Sequence, residues 1–340
     1  MIKMKDIAQI CGVSPAVVSL VLNGKDKKLG IAEKTRKHIL EVTGSLGYCR
    51  NEMAVSIARK QGNILGFVSE NMGVVEYTGR IQNGVFEEAS KHGYAVMVYH
   101  LNEENASLIL KKILGWCTSG VIFHVSSREK VKSLTEHFRK NNIPFGFANL
   151  SNPEGIGVTS DDYAGAKEAV AHLVSQNRKR ILCLAGGSPR NKHPSEYAFL
   201  RMQGYSDAVR ELLPGSEEKI FFPDFHRGDP IKNIARILKD FHADAVFCNA
   251  DHYAMRVFPA AEYLKWKVPE NLAIVGFGGL SIGDYASVPL SSIVQNFEEM
   301  GSLTVRYVID EIEGRKEVHT PRNCLMPVRL LVKGSSKYHS

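Results

Sequence analysis

KDIAQICGVSPAVVSLVLNG, residues 5–24, has the pattern of two short amphipathic helices joined by a tight turn. The first runs from about Lys5 to Cys11, with Ile7, Ala8, Ile10 and Cys11 facing inward. Gly12 suits the turn, because glycine tolerates the positive φ that closes a helix. Ser14 offers a side-chain oxygen as N-cap. Pro15 takes the first helical position, where a missing N–H costs nothing. Val17, Val18, Val21 and Leu22 then recur at helical spacing. Ala8, Gly12 four residues on and Val18 six beyond form the packing pattern of a helix-turn-helix: the alanine lets two helices approach, the glycine turns the chain and the valine fills the angle. An ordinary helical hairpin has the same outline, so the charge around it matters.

That charge is concentrated. The formal net charge is +7, and residues 1–62 hold 11 Lys and Arg against 5 Asp and Glu, while the rest of the chain holds 32 against 31. A basic headpiece on a near-neutral body is the electrostatic footprint of a nucleic-acid-binding module. A membrane-surface patch would also be basic, but the apolar faces of these helices are needed for their own core.

The 340 residues suffice for two or three domains, and 44% hydrophobic with 23% charged residues is an ordinary globular composition. No apolar run is long enough to span a bilayer, and MIKMKDIAQ has no apolar signal core, so a cytoplasmic location without a membrane partner is expected. Cys11, Cys49, Cys117, Cys183, Cys248 and Cys324 lie far apart without a CxxC pair, which favours buried reduced thiols over a metal site or disulfide framework.

IAEKTRKHILEVTGSL (31–46) fits a third helix, with Ile39, Leu40, Val42 and Leu46 near one face, ended by Gly47-Tyr48. NEMAVSIARK (51–60) is a short segment capped by Asn51, marginal as an isolated helix. From Asn63 the texture changes to strand-like runs alternating with helical patterns: ILGFVS (64–69), a helix near 77–92, YAVMVYH (94–100), a helix near 103–116, GVIFHV (120–125), a helix near 128–141 and PFGFANL (144–150). The alternation continues through RILCLAGG (180–187), KIFFP (219–223), AVFCNA (245–250) and LAIVGFGG (272–279). It predicts βαβ crossovers and two parallel sheets. The chain passes from the first to the second near 158–162, a helix near 298–313 and a strand near 323–332 close the body, and GSSKYHS (334–340) is expected to be a disordered tail.

Residues 3–60 resemble the headpiece of LacI/GalR-family bacterial transcription regulators. The body resembles that family's effector domain, similar to periplasmic sugar-binding proteins, through DDYAGAKEAVAHLVSQNRKRILCLAGG (161–187), RMQGYSDAV (201–209), VPENLAIVGFGG (268–279) and SSIVQNFEEMG (291–301). The implied fold is an N-terminal all-α helix-turn-helix headpiece (1–50), a hinge helix and linker (51–62), and an α/β body of two parallel-sheet subdomains (63–333). Subdomain one would hold about 63–160 and 296–322, and subdomain two about 161–292 and 323–333. The implied function is a repressor that binds a near-palindromic double-stranded DNA operator as a homodimer and is modulated by a small molecule in the cleft of its body.

Carried onto this chain, the resemblance makes Pro15, Ala16 and Leu20 the base-reading positions. Ser14, Ser19 and Asn23 become phosphate contacts and Lys5 a further DNA-binding residue, with Ile57 as the minor-groove wedge. Arg50 stands where the family hinge usually starts with proline, ahead of Asn51, and Ile57 replaces the commoner leucine. None of the three base-reading side chains can make a bidentate contact to a base edge.

For the effector site the resemblance implies Arg201, Asp251, Phe277, Gln295 and Phe297. Two polar anchors are missing: the asparagine before the acid is Ala250, and the acid of the GFD-type turn is Gly278. An arginine left without that acid predicts an anionic ligand, such as an anionic sugar derivative. Asp161-Asp162 is explained by helix capping and the helix dipole. No catalytic set, metal site or cofactor motif is found; Gly186-Gly187 lacks a phosphate-loop pattern around it. Two other readings stand beside the regulator: a solute-binding protein of periplasmic type, which would need a signal peptide and no basic headpiece, and a regulator with a vestigial pocket.

Overall fold

The computed structural model describes residues 2–24, 26, 30–48, 62–70, 72, 75–186, 195–223 and 228–337. The chain divides into two units, Met1–Arg59 and Lys60–Ser340.

The first unit holds α1 (Met4–Cys11), α2 (Pro15–Leu22) and α3 (Glu33–Ser45). Gly12 at φ 65° closes α1, and the Val13 amide donates to the Ala8 carbonyl at 3.0 Å. The Ser14 hydroxyl oxygen accepts the Val17 amide at 3.4 Å, which caps α2. Ile7, Ala8, Val18, Val21 and Ile39 form the buried core. Ile10 and Leu40 are not part of it: they are 57% and 40% exposed. Each lies about 60–100° around its helix from the buried Ile7 or Ile39, and helices this short bury only a narrow stripe. Asp26, a buried carboxylate, stands 3.1 Å from the Arg36 guanidinium of α3.

The second unit begins with β1 (Ile64–Ser69), α4 (Glu76–Lys91), β2 (Ala95–His100), α5 (Ala106–Gly115), β3 (Gly120–His124), α6 (Lys132–Lys140), β4 (Phe145–Ala148) and β5 (Ile156–Ser160). It continues with α7 (Asp162–Ser175), β6 (Ile181–Leu184), α8 (Glu196–Leu212), β7 (Lys219–Phe221), α9 (Pro230–Asp240), β8 (Ala245–Cys248), α10 (Asp251–Tyr263), β9 (Ala273–Gly278) and β10 (Ser291–Val294). Then come α11 (Phe297–Ile312), β11 (Arg322–Met326) and β12 (Arg329–Leu331). Two six-stranded sheets result, in the orders β11-β5-β4-β3-β1-β2 and β12-β10-β9-β8-β6-β7. Every pairing is parallel except β10 with β12. Central strands such as β3 and β9 are buried along their whole length, as parallel strands covered on both faces must be.

Within the first subdomain α4 and α11 approach at their glycines. A Cβ on Gly84 would stand 1.9 Å from the Glu298 carbonyl oxygen, and one on Gly301 2.2 Å from the Ile81 carbonyl oxygen. The Ser302 hydroxyl donates across the same seam to the Gly84 carbonyl at 3.1 Å.

Four expectations need correction. The strand near 323–332 is two strands in different sheets: β11 pairs with β5 in the first and β12 with β10 in the second. Residues 323–326 therefore belong to subdomain one. Pro327, which has no N–H for a ladder, separates the two strands. The tail is not disordered over 334–337: Ser335 and Ser336 are fully buried, and only 338–340 lie outside the described residues. The helix near 128–141 is a 3₁₀ turn, Arg128–Val131, followed by α6. Strands β5 and β10 lacked a separate signal in their short sequences IGVTS and SSIV. Among the cysteines, Cys117 is exposed, while Cys183 and Cys248 are buried.

Candidate nucleic-acid interface and ligand cleft

In the headpiece, α1 and α2 turn through 107°, within the range of helix-turn-helix pairs. Packing Ile7 and Ala8 against Val18 and Val21 turns the opposite side of α2 outward. Ser14, Pro15 and Ala16 are exposed there, Ser19 and Leu20 are half-buried, and Lys5 is exposed on α1. Ala16 and Leu20, four residues apart, share one face. Asn23 folds back on its own helix, its Nδ2 donating to the Ser19 carbonyl at 2.5 Å and to Oγ at 3.2 Å. Ser14 and Asn23 thus shape α2 as well as lying at its surface. Arg50, Asn51 and Ile57 lie outside the described residues.

In the body, a cleft opens where the strands of both sheets end. Asn149 follows β4, Ala250 follows β8, Gly278 ends β9 and Gln295 follows β10. The carboxyl ends of parallel strands are where open α/β sheets hold ligands. Of the sequence-derived set, Arg201, Phe277, Gln295 and Phe297 line this cleft, and Gly278 and Ala250 line it beside them. Tyr77 stands 5.5 Å from Phe297, ring to ring, and edge-on to His124 at 5.6 Å. Burial, with the Tyr197 hydroxyl beside it, pushes the Tyr77 phenol well up.

Asp251 does not face the cleft. It is fully buried, its Oδ2 accepting the Leu280 amide at 2.6 Å and its Oδ1 the Ser292 hydroxyl at 2.6 Å. The carboxylate lies under the Gly276–Gly279 turn, where a Cβ on Gly276 would stand 2.2 Å from Oδ1. It fixes the turn that carries Gly278, at φ 133°, into the cleft. Burial raises the Asp251 carboxyl; its hydrogen bonds and Arg201 pull it back down.

Arg201 is not an unopposed cation. Its Nε donates to Asp162 Oδ1 at 2.7 Å, its Nη1 to the Asn249 carbonyl at 2.7 Å and its Nη2 to Gln295 Oε1 at 3.0 Å. Its face stacks on Phe277, 3.8 Å from the ring centroid. Of the acid pair, Asp161 alone caps α7, accepting the Ala164 amide at 3.0 Å. Asp162 turns inward to Arg201. The expectation of an anionic ligand rested on a missing counter-charge, and that counter-charge is present. Burial raises the Asp162 carboxyl, opposed first by the Arg201 charge.

Tyr77, Asn149, Tyr197 and His252 also line the cleft and lie outside the set that the sequence predicted. His252 lies near Arg201 and Arg256, and burial first, then these charges, lowers it to about 4. The strand-end position of Asn149 and His252 was the one signal that could have found them.

Comparison with known proteins gives two family matches: bacterial regulatory proteins of the lacI family over residues 3–51, and the periplasmic binding protein-like domain over residues 170–336. The HTH-type transcriptional repressor CytR of Escherichia coli is 28% identical, over 98% of this chain and 96% of the relative. The ribose operon repressor of Halalkalibacterium halodurans is 27% identical, over 99% and 98%. Catabolite control protein A of Priestia megaterium is 26% identical, over 98% of each. Among solved structures, the lac repressor dimer bound to operator and the anti-inducer ONPF has the same fold, with a TM-score of 0.82 at 21% identity over 98% of this chain and 99% of that one. This chain therefore joins a headpiece that matches the lacI family of bacterial regulatory proteins to a body that matches the periplasmic binding protein-like domain, and along its whole length it is similar to transcriptional repressors.

Proposed function

We propose that the protein acts in the cytoplasm as a homodimer that binds a near-palindromic operator and changes its grip when a small molecule occupies the body cleft. The observation that carries this reading is the outward face of α2, with Ser14, Pro15 and Ala16 exposed, and Lys5 exposed on α1, in a headpiece (residues 1–62) that holds 11 Lys and Arg against 5 Asp and Glu. Pro15, Ala16 and Leu20 read bases through thymine-methyl contact and shape. Lys5, Ser14, Ser19 and Asn23 meet phosphates. Arg50, Asn51 and Ile57 belong to a hinge that orders on DNA, with Ile57 as the minor-groove wedge.

A dimer is supported by apolar side chains left on the body surface. Tyr285 is 87% exposed with Ile282 beside it, and Phe86 and Val98 are exposed on the other subdomain. The cleft residues Arg201, Phe277, Gln295 and Phe297 form the effector site, with Asp251 supporting it from behind.

Selection from a random duplex pool, followed by mobility shift at rising salt, tests the reading. A palindromic consensus bound by two chains, with affinity falling steeply between 50 and 200 mM salt, is expected from about 6–10 phosphate contacts. Absence of any enriched sequence overturns it.

A further inference from the structure

We infer that Asp162 sets the charge selectivity of the body cleft: by occupying the carboxylate slot beside Arg201, it restricts the cleft to uncharged ligands that carry both a hydrogen-bond donor and an acceptor. This rests on the reading of the cleft as the effector site.

Arg201 is 4% exposed and Asp162 2% on its side chain. Each nitrogen of the guanidinium already has a protein acceptor, on α7, after β8 and after β10. Two N–H groups, one on each Nη, remain, and a ligand carboxylate or phosphate that took them would sit beside Asp162 as a second anion on one guanidinium or displace it. Either course strips an anion of water without a counter-charge, which is strongly unfavourable in a buried site. Arg201 is the one formally charged side chain among the described residues that line the cleft, and the lowered basicity of His252 keeps its ring neutral.

The two buried lining atoms that have no partner at all among the described residues are polar but uncharged. Gln295 is 1% exposed; its Oε1 is taken by Arg201, but its Nε2 has no partner among the described residues. Asn149 is 7% exposed, and its Oδ1 likewise lacks one. A buried amide without a partner calls for a ligand group that supplies it. Gln295 wants an acceptor and Asn149 a donor. In the same lining, Tyr77, Phe277 and Phe297 supply apolar walls that suit a flat or ring-shaped body.

The test is calorimetry on the full-length chain at pH 7 with three matched probe pairs: benzamide and benzoate, a nucleoside and its 5′-monophosphate, a hexose and its 6-phosphate. In at least one pair the native protein should bind the neutral member tenfold or more tightly than the anionic one. Asp162→Asn keeps the side-chain size and removes the counter-charge, so its preference should move at least tenfold toward the anion. Asp162→Asn with Arg201→Gln, which removes both charges, should show no such gain. Equal or tighter binding of the anionic members by the native protein overturns the inference, as does an unchanged ratio in a folded Asp162→Asn. Should that variant fail to fold by circular dichroism, the native ratio alone decides. A native chain that shifts DNA yet binds no neutral probe loses this inference and keeps the DNA reading. A chain that shifts no DNA loses the DNA reading, while the calorimetric ratio still judges Asp162.

Discussion

Ser335 and Ile274 are paired through both backbone and side chain. The Ile274 amide donates to the Ser335 carbonyl at 2.8 Å, and the Ser335 hydroxyl donates to the Ile274 carbonyl at 2.6 Å. The Ser291 amide donates to the same hydroxyl oxygen at 2.9 Å, and Ser336 reaches Ser291 Oγ and His172 Nε2, each at 2.7 Å. The end of the chain thus closes a buried polar seam over the start of β9 and β10.

Ending the chain after Lys333 should therefore destabilise the second subdomain. Each buried group left without its partner costs about 1–3 kcal/mol. A lowered urea midpoint of the body transition is the expected outcome. An unchanged midpoint would show that the seam contributes nothing.

Gly84→Ala should disrupt the α4–α11 seam, because the new methyl would stand 1.9 Å from a backbone carbonyl that has no rotamer to escape into. Overpacking of this kind costs about 1–3 kcal/mol or more. Gly79→Ala, on the same helix with open space around it, serves as the control and should be neutral or slightly stabilising. Thermal melts of the two variants compare them directly.

Ile39→Ala should unfold the headpiece selectively. Ile39 is one of five buried apolar residues in that unit, and such truncations cost about 2–5 kcal/mol, a large share of what so small a core provides. Ser14→Ala, which removes the cap of α2, should cost about 1 kcal/mol. Ile39→Ala should lose the DNA shift while the body melts as before; a joint loss of both transitions would contradict independent units.

Acid should act through His252. Folded, its pKa is about 4; unfolded, it returns to about 6.5. Between those values the unfolded chain binds more protons, so this residue's contribution to stability falls as pH falls from 6.5 towards 4. His124, held low chiefly by burial, acts in the same direction. His252→Gln should make the slope of stability against pH shallower across that window. Parallel slopes for variant and native protein would rule the ring out as a source of acid sensitivity.

The local code around α1 and α2 was legible because it is carried by near neighbours. The Gly12 turn, the Ser14 cap and the Ala8–Val18 contact all lie within 11 residues of sequence, and each has a stereochemical signature. The strand–helix alternation gave the parallel sheets in the same way, since burial on both faces forces apolar runs. Sheet membership of residues 323–326 was not legible. Nothing in RNCLM itself favours one sheet over the other, and the choice rests on pairing with β5 rather than β10. The roles of the acids lay equally outside the sequence. Asp161 and Asp162 are neighbours with the same chemistry, yet one caps a helix and the other meets an arginine 39 residues away. Asp251, next to the cleft in sequence terms, turns beneath it to hold a glycine turn. Composition and spacing determined that this chain has a basic helix-turn-helix unit and a two-sheet body. Only the tertiary structure decided where each buried charge finds its partner, because that pairing depends on the meeting of strand ends and helices far apart in the chain.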